Sequence, residues 1–445
     1  MKVIYIHTHD TGRFIEPYGY NIPTPNLMKM AQEGTLFRNA HCAAPTCTPS
    51  RTAMLLGMAP HSCGMFGLTN MGFRMEEYSR HIVSFLNEKG YDTALSGVHH
   101  EFHSKDAHTY KTVVNDIHDE KKNLYNTGFD ELDMDSAQKA AEYIKTNIDK
   151  DYFLSVGFIN THRPFPPHVD NVNPDYVMPP FPFPDTRETR EDMAAYIKSA
   201  KTMDKCVGIV LDAIYEAGIE DDAVVFFTTD HGIAFPRMKC HLYDTGTGVS
   251  LIMMVPGNRR KGKACDALIS QIDIFPTLCD YLGLGKPNWL QGRSIKPILD
   301  GSAEEINSEI FSEVTYHAAY EPMRAIRTQR YKLIKTFDDY DRPVPSNTDD
   351  GISKELYAKW GYFEGKKDKE MLFDLYLDPV ERVNLVGDIR YAEIYRDLSM
   401  RLEKWMKETD DPLLKGKIVA PKGARVCKPD SYSIALGEFE PDTKE

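Results

Sequence analysis

The sequence lacks the features that would place it among membrane proteins or disulfide-framed domains. No stretch approaches the roughly 18 consecutive apolar residues that a membrane-spanning helix requires. The eight cysteines include no Cys-x-x-Cys pair in a chain of 445 residues, so we expect reduced thiols. The N-terminus, MKVIYIHTHD, turns polar too early for a secretory signal and predicts a first buried strand. If Met1 is the native start, we expect a cytoplasmic protein with no membrane partner.

An excess of positive charge is also missing. The formal net charge is −13, which argues against non-specific nucleic-acid binding, because clustered lysine and arginine are needed to hold a phosphate backbone. We therefore expect no nucleic-acid partner. A small anionic substrate is still possible, because a few local cations can hold one. The hydrophobic content of 42% is ample for a sizeable core. The length predicts two or three domains, or one large domain with a smaller one.

Short apolar runs alternate with helical patterns in the first two thirds of the chain. The runs lie at 3–7, 93–98, 153–160, 223–229 and 250–256. Near-continuous apolar runs are typical of strands that are buried on both faces of a mainly parallel sheet. Helical spacing predicts helices at 26–33, 80–89, 136–147 and about 187–217. This alternation predicts a large, doubly wound α/β domain.

The pattern changes after about Gly301. The stretches EIFSEVT, MRAIRTQRYKLIKTF and EMLFDLYLD predict antiparallel strands, and a final amphipathic helix follows at about 391–407. We therefore predict a catalytic α/β domain over residues 1–305 and a smaller C-terminal α+β domain with an antiparallel sheet over 306–445. The proline-rich segment 164–185 predicts an ordered loop at the rim of the site.

Polar clusters follow four of the predicted strands. They are Thr8, His9 and Asp10; His99, His100 and His103; Thr161, His162 and Arg163; and Asp230, His231 and Gly232. One such cluster alone would indicate an ordinary capped loop, because aspartate is a common turn former. Active residues in doubly wound sheets collect beyond the carboxyl ends of the strands. Four clusters at one sheet edge therefore favour a divalent cation held by carboxylates and imidazoles.

The stretch HCAAPTCTPSRTAMLLGM places Cys47 at the mouth of an apolar helix. A thiol at a helix N-terminus lies near the positive end of the helix dipole and free amide groups, which favour an anion. Pro49 suits the first helical turn, and Arg51 is within reach of the same helix end. For a lone cysteine, however, a buried structural role is the better explanation, because buried cysteines are common.

The pentapeptide CTPSR matches the C-x-P-x-R signature of sulfatases, and the chain resembles the sulfatase family of the alkaline phosphatase superfamily from end to end. Within that family it resembles the heparan N-sulfatases, or sulfamidases. The resemblance extends through PTPNLMKMAQEGTLFRNAHCAAPTCTPSRTAMLLGMAPHSCGMFGL, DHGIAFPRMKCHLYDTGTGVSLIM, LFDLYLDPVERVNL and LEKWMKETDDP. It implies a hydrolase of sulfate esters or sulfamates.

The resemblance also implies a role for each matching residue. A maturase would oxidise Cys47 to formylglycine, whose hydrate supplies the nucleophile, and Arg51 would orient that hydrate. The implied metal ligands are His9, Asp10, Cys47, Asp230 and His231. The other implied catalytic residues are His100 beside the formylglycine, His162 as the acid that protonates the leaving group, and Lys239 on the sulfate oxygens. The predicted substrate-binding residues are His99, His162, Arg163 and Lys239.

Two departures from the family pattern affect these expectations. Most sulfatases have paired aspartates after the first strand, whereas this chain has His9 and Asp10. Because a site with His9 is less hard than an all-oxygen site, calcium is the first choice by resemblance and manganese or another transition metal is the alternative. The family lysine of the GKxH motif is replaced by Val98. His99 could substitute for it, or Lys239 and the metal could hold the sulfate. His103 and His168 fit ordinary loop histidines.

The predicted function is the removal of sulfate groups, including N-sulfate, from sulfated saccharides. One alternative is an O-sulfatase that acts on another glycan or an aryl sulfate. A second is a phosphonate or phosphate diester hydrolase that uses the same nucleophile and metal set. A third, non-enzymatic alternative is a sulfated-glycan binding protein with a decayed site, which His9 and the missing lysine would favour.

Overall fold

The computed structural model describes residues 1–75, 77–102, 109–117, 128–166 and 171–441. The strands are β1 (Lys2–Thr8), β2 (Thr35–Phe37), β3 (Ala40–His41), β4 (Asp92–Gly97), β5 (Thr112–Asp116), β6 (Tyr152–Gly157), β7 (Ala223–Thr229), β8 (Leu251–Met254), β9 (Lys263–Cys265), β10 (Ile269–Ser270), β11 (Glu309–Tyr316), β12 (Tyr320–Thr328), β13 (Tyr331–Thr336) and β14 (Glu370–Asp374). The helices are α1 (Pro25–Glu33), α2 (Cys47–Leu56), α3 (Ile82–Glu88), α4 (Phe129–Thr146), α5 (Arg187–Glu216), α6 (Asp244–Thr247), α7 (Ile274–Leu282), α8 (Lys296–Leu299), α9 (Ile352–Lys359) and α10 (Ala392–Glu408).

The main sheet has the strand order β5–β4–β6–β1–β7–β8–β2–β9 within the described residues. The strands β5, β4, β6, β1 and β7 run parallel, with Val3 opposite Phe153 on one side of β1 and opposite Val224 on the other. Strand β8 is antiparallel to both β7 and β2. The connection from β7 to β8 contains only the four-residue α6, which is too short to act as the crossover helix that usually returns the chain to a parallel strand.

Helices cover both faces of this sheet, as the continuous apolar runs predict. Ile4 and Ile6 of β1 join a core with side chains of α4 and α5, such as Val207. The alternate residues Val3 and Tyr5 join a second core with side chains of α2, α3 and α7. Successive side chains of a strand point to opposite faces, so each run supplies both cores. The doubly wound α/β prediction is confirmed.

The C-terminal part contains an antiparallel sheet in the order β11–β12–β13–β14. Helix α10 packs on it through Leu398 and Leu402, which meet Ile326 and Leu333. The predicted antiparallel strands and the final amphipathic helix are therefore confirmed, and the stretch MRAIRTQRYKLIKTF forms most of the β12–β13 hairpin. The domain boundary at residue 305 stays a prediction.

Other expectations need adjustment or fall outside the described chain. Helix α4 begins at Phe129, seven positions before the predicted Ser136, and carries Asp130 and Glu131 in its first turn, where acidic side chains stabilise the helix dipole. His103, His168 and part of the 164–185 segment lie outside the described residues. Within the described ranges, every helix is too short or too polar to cross a membrane.

Candidate active site

Four adjacent parallel strands bring the predicted clusters to one edge of the sheet. His7, near the end of β1, lies opposite Gly157 of β6 and Thr228 of β7, and Gly97 of β4 lies opposite the same Gly157. The loops that leave these strands therefore start side by side. Asp10 adopts a left-handed backbone conformation with φ 53°, and its amide donates to Asp230 Oδ1 at 2.8 Å. This contact joins the loops after β1 and β7.

Cys47 is the first residue of α2, as its sequence context predicts. The side chain is buried, and Sγ lies 3.3 Å from His231 Nε2. Burial raises the pKa of the thiol well above its ordinary value, an effect that Lys239 only partly opposes. An unmodified Cys47 is therefore a protonated thiol and a poor nucleophile, because the thiolate is the reactive form.

Arg51 is fully buried one turn further along α2 and makes its hydrogen bonds to β1 and Asp230. Its guanidinium donates to His7 Nδ1 at 2.7 Å, to the Thr8 carbonyl at 2.8 Å and to Asp230 Oδ2 at 2.9 Å. Because His7 Nδ1 accepts this bond, the other ring nitrogen carries the proton toward Ser155 Oγ, 3.1 Å away. Arg51 thus fixes the orientation of the Asp230 carboxylate, which is one of the predicted metal ligands.

Asp230 is held as a carboxylate. Its Oδ1 accepts from the amides of Asp10 and His231 at 2.8 and 2.9 Å. Burial opposes ionisation, but electrostatic interactions with His231, Arg51 and His9 outweigh it and hold the pKa of Asp230 well below its usual value. A negative charge is therefore fixed beside Cys47.

The protonation of His231 and the position of Asp10 fit a bound cation. His231 Nδ1 must donate to the Gly232 carbonyl, 2.9 Å away, because a carbonyl can only accept. In the neutral ring this leaves a lone pair on Nε2, which lies 3.4 Å from Asp10 Oδ1. Asp10 Oδ1 is buried and has no hydrogen-bond partner among the described residues. A metal ion between two facing lone-pair atoms without a shared proton would stabilise both.

The donor set around this position is large enough for a divalent cation. Asp10, Cys47, Asp230 and His231 each offer an atom within 4.8 Å of the others. His9 and His162 form an overlapping group with Asp10 and Cys47. The structure therefore places the five predicted metal ligands in two overlapping groups, and their donor atoms include oxygen, nitrogen and sulfur, a less hard set than an all-oxygen site.

Lys239 lies next to the candidate metal ligands and bridges two carboxylates. Its Nζ is 2.9 Å from Asp10 Oδ2 and 2.8 Å from Asp349 Oδ2, and the side chain is buried. Burial alone would lower the pKa of this amine, but Asp10 and Asp349 outweigh it and raise the pKa well above its ordinary value. An ammonium has three N–H donors, so one remains for a substrate oxygen.

The side chains of His162 and Arg163 contact different parts of the structure. His162 Nδ1 donates to the Arg163 carbonyl, and Nε2 lies 3.9 Å from Asp10 Oδ2 with the side chain 32% exposed. Arg163 instead donates to both oxygens of Asp192 at 2.9 and 2.6 Å and to the Ala234 carbonyl at 2.8 Å. His162 is open to a ligand. The predicted contact between Arg163 and substrate stays a prediction.

The side chains of the GVHH segment, residues 97–100, point in different directions. Val98, at the position of the missing lysine, packs with Ile117, Leu132 and Ile159. His99 is buried and stacks on Phe102, with ring centroids 4.5 Å apart. The His100 ring lies 5.4 Å from that of His9. Of the two predicted histidines, His100 is therefore the one beside the candidate metal ligands, and the hydrophobic position of Val98 offers no place for a charge.

A comparison with protein families tests the resemblance that the CTPSR signature indicates. The family model for sulfatases matches residues 2–284. The chain belongs to the sulfatase family. A second model, for the C-terminal part of N-sulphoglucosamine sulphohydrolase, matches residues 231–344. Membership makes the protein a sulfate ester or sulfamate hydrolase, as the CTPSR signature predicts.

Individual relatives match this sulfatase over nearly its whole length. N-sulphoglucosamine sulphohydrolase from Homo sapiens is 27% identical, covering 93% of this chain and 91% of its own. Delta 4,5-hexuronate-2-O-sulfatase from Bacteroides thetaiotaomicron is 26% identical, with 94% and 91% covered. The solved phosphonate monoester hydrolase from Silicibacter pomeroyi aligns with a TM-score of 0.72 at 20% identity, with 92% and 95% covered, which shows a shared fold.

Two residues of this sulfatase site are absent from the sequence-based prediction. Asp349 precedes α9 and reaches Lys239. His317 lies between β11 and β12, is buried, and its Nδ1 has no hydrogen-bond partner among the described residues. Neither residue belongs to a recognisable motif. Tertiary packing alone brings them to the site. His317 closely follows the predicted strand EIFSEVT, whereas no element is predicted near Asp349.

One groove of the sulfatase does not include these residues. It has a volume of about 1210 Å³ and is bordered by side chains such as Arg13, Tyr20, Tyr176 and Tyr376. None of the predicted site residues lines it. We therefore place the chemistry at the polar cluster, where donors, charges and the Cys47 side chain converge.

Proposed function

We propose that this sulfatase removes sulfate groups from sulfated saccharides, with N-sulfated glucosamine as the first substrate to test, and that it depends on a divalent metal and on formylglycine at position 47. The observation that carries this proposal is the position of Cys47, whose Sγ lies 3.3 Å from His231 Nε2 within the Asp10–Asp230–His231 group. The relatives named for N-sulphoglucosamine and for a hexuronate sulfate support the saccharide class.

The metal would be held by the five residues that converge there. They are His9, Asp10, residue 47, Asp230 and His231. When bound, a divalent cation neutralises the sulfate charge and polarises the group as a Lewis acid. We take calcium as the first choice, from the family resemblance, and manganese as the alternative, because imidazole nitrogens are among the donors.

Formylglycine at position 47 would supply an oxygen nucleophile in its hydrated form, and a maturase is therefore the proposed partner of this chain. The surrounding residues prepare the position for it. Arg51 fixes Asp230 at 2.9 Å, and His231 turns Nε2 toward residue 47. His100 lies near His9, where it can accept a proton from an oxygen on residue 47.

Substrate binding and protonation fall to Lys239 and His162. A sulfate or sulfamate group is anionic and repels nucleophiles, so the third N–H of Lys239 would hold a sulfate oxygen and offset that charge. His162 Nδ1 is committed to the Arg163 carbonyl. Nε2, which lies 3.9 Å from Asp10 Oδ2, therefore carries a proton only in the imidazolium form. In that form His162 can protonate the leaving atom as a general acid.

A three-substrate assay tests this function. The protein is coexpressed with a formylglycine-generating maturase, and the residue 47 peptide is examined by mass spectrometry. Purified protein is then assayed on glucosamine N-sulfate, glucosamine 6-O-sulfate and a phosphodiester. We expect conversion of Cys47 and turnover of the N-sulfate. A modified enzyme that cleaves only the phosphodiester would contradict the proposal. An unmodified, inactive protein that binds sulfated sugar would favour the glycan-binding alternative.

An O-sulfatase is the second candidate, because the 2-O-sulfatase relative is nearly as similar as the N-sulphoglucosamine relative, at 26% against 27% identity. The same assay separates the two. Turnover of the 6-O-sulfate or of a 2-O-sulfated hexuronate, without turnover of the N-sulfate, would establish this candidate.

A further inference from the structure

Asp349 enters the site from the C-terminal part of the chain. Its Oδ2 is 2.8 Å from Lys239 Nζ, and its side chain is 17% exposed, which leaves room for a ligand contact. Within the described residues, the only hydrogen bond of this carboxylate is to Lys239, so Oδ1 has no partner. Asp349 lies beyond both family-model matches, which end at residues 284 and 344.

The segment around Asp349 is fixed at both ends. Before it, Asn347 Oδ1 accepts from the amides of Ala318 and Ala319 at 3.0 and 2.9 Å. After it, Ser353 Oγ donates to Asp192, the same carboxylate that binds Arg163. Two separate anchors hold the Asp349 backbone, so the carboxylate is preorganised rather than carried on a loose loop.

The surroundings of Asp349 place it beside the proposed sulfate-binding cation and near the proposed general acid. Lys239, His317 and His162 all interact electrostatically with its carboxylate. Burial and the nearby Lys239 charge lower the pKa of His317 to about 3, so His317 is neutral and does not neutralise Asp349. Asp349 is thus an anion one hydrogen bond from the cation that would hold the sulfate, in the field of the acid that would protonate the leaving atom.

The two candidate substrates differ at that atom. In a sulfamate the bridging nitrogen bears a hydrogen and can donate to a carboxylate, whereas the bridging oxygen of an ester can only accept. Hydrolysis of R–NH–SO₃⁻ by water breaks the S–N bond with its electron pair going to nitrogen, and yields R–NH₃⁺ and SO₄²⁻. Hydrolysis of R–O–SO₃⁻ yields a neutral alcohol, SO₄²⁻ and a proton. A carboxylate at the leaving atom therefore favours the sulfamate.

We propose that Asp349 is a specificity-determining residue that accepts the bridging N–H of an N-sulfated amino sugar and pairs with the ammonium product. This inference rests on the proposed sulfatase function and adds the reason for N-sulfate preference. In this proposal Lys239 binds the sulfate group, and Asp349 distinguishes the bridging nitrogen of a sulfamate from the bridging oxygen of a sulfate ester.

The test compares Asp349→Asn with Asp350→Asn. Asparagine keeps an oxygen for Lys239 but removes the charge, and Asp350 is a neighbouring carboxylate, 56% exposed, that pairs with Lys354. We expect Asp349→Asn to lower the ratio of kcat/KM for glucosamine N-sulfate to that for glucosamine 6-O-sulfate by about 10- to 100-fold, the range for a charge-assisted hydrogen bond. Asp350→Asn should leave the ratio unchanged. Asp349→Glu should recover part of it.

Equal losses on both substrates would overturn the proposal, because they would mean that Asp349 only positions Lys239. A wild-type enzyme that cleaves the O-sulfate alone would also overturn it while leaving the sulfatase function intact. Calorimetric binding with inorganic sulfate present provides a readout without turnover. Glucosamine should bind wild type about 10-fold tighter than N-acetylglucosamine does, and the two should bind Asp349→Asn alike. Equal binding to wild type would contradict the role of Asp349 even if the enzyme proved inactive.

Discussion

Two buried clusters of this sulfatase have the composition of a metal site. The first, the site cluster, consists of Asp10, Cys47, Asp230 and His231, and the second cluster consists of His61, Glu313 and Asp411. Each brings a histidine and two carboxylates within 4.8 Å. Composition and spacing alone do not distinguish them, so the difference has to be found in the hydrogen bonds.

The second cluster is fully paired within the protein. His61 donates through its backbone amide to Glu313 at 2.9 Å, and its Nε2 bonds Thr409 Oγ1 at 2.8 Å. Arg324 donates to both oxygens of Asp411 at 2.6 and 3.0 Å. In the site cluster, by contrast, Asp10 Oδ1 is buried without a hydrogen-bond partner among the described residues. An unmatched buried carboxylate oxygen is costly, and this difference supports the proposed metal at the site cluster.

The largest effect is expected from Cys47→Ala, which removes the proposed precursor of the nucleophile. Turnover should fall by about 10⁴-fold or more, since loss of a nucleophile removes the chemical step. Alanine fits the buried position, so the thermal unfolding midpoint should stay close to that of the wild type. Steady-state assays and a thermal melt provide the two measurements. Residual activity within 10-fold of wild type would rule out residue 47 as the nucleophile.

Asp10→Asn tests whether the site cluster, rather than the second cluster, binds the metal. Removing the Asp10 charge leaves fewer anionic donors, and we expect metal affinity to fall by about 10- to 100-fold, comparable to losses on disturbing a metal site. Elemental analysis and titration of the apoprotein with calcium and manganese measure this.

His61→Ala is the matched control for Asp10→Asn, because His61 belongs to the second cluster. Its metal stoichiometry should equal that of wild type. If His61→Ala loses metal and Asp10→Asn does not, the assignment of the two clusters is reversed.

Asp411→Asn should instead affect stability. It removes the carboxylate that accepts two hydrogen bonds from the fully buried Arg324 guanidinium, and breaking such a buried pair costs about 3–5 kcal/mol of unfolding free energy. Activity per folded molecule and metal content should not change. Denaturant unfolding measures the loss. The exposed pair Arg390–Asp388 provides the control, since Asp388→Asn should leave the unfolding free energy nearly unchanged. A loss below 1 kcal/mol for Asp411→Asn would show that the second cluster is not a structural ion pair.

Much of the fold follows from sequence pattern. The strands β1, β4, β6, β7 and β8 were predictable because burial on both faces requires continuous apolar residues, as in AVVFFTT of β7. The strands β2 and β9 have only three residues each, too few for a periodic signal. The edge strand β5 is partly exposed and carries Asn115 and Asp116, which interrupt the apolar run.

The candidate site was predictable where its residues follow strands or form a motif. Asp10, His162 and Asp230 satisfy the first condition and Cys47 the second. Asp349 satisfies neither, because Asn347 and Ser353 bring it to the site through contacts with distant elements. The pairing of His61 with Glu313 likewise joins residues 252 positions apart. The sequence shows which residues can bind a metal, and the paired or unpaired state of their atoms depends on tertiary contacts.

The smallest effect concerns the pH dependence of the second cluster. Burial alone would raise the pKa of Asp411, but Arg324 outweighs it and lowers the pKa below the ordinary 3.8. Unfolding returns Asp411 toward 3.8, so the unfolded state binds more protons between the two values, and stability rises with pH there. The contribution of Asp411 is therefore complete above about pH 5 and is lost as the pH falls through 3.8 toward the lowered pKa. The difference in unfolding free energy between wild type and Asp411→Asn should be constant from pH 7 to 5 and shrink below that, measured by denaturant unfolding at each pH. A difference that stays constant to pH 2.5 would show that the Arg324–Asp411 charge pair does not stabilise the fold.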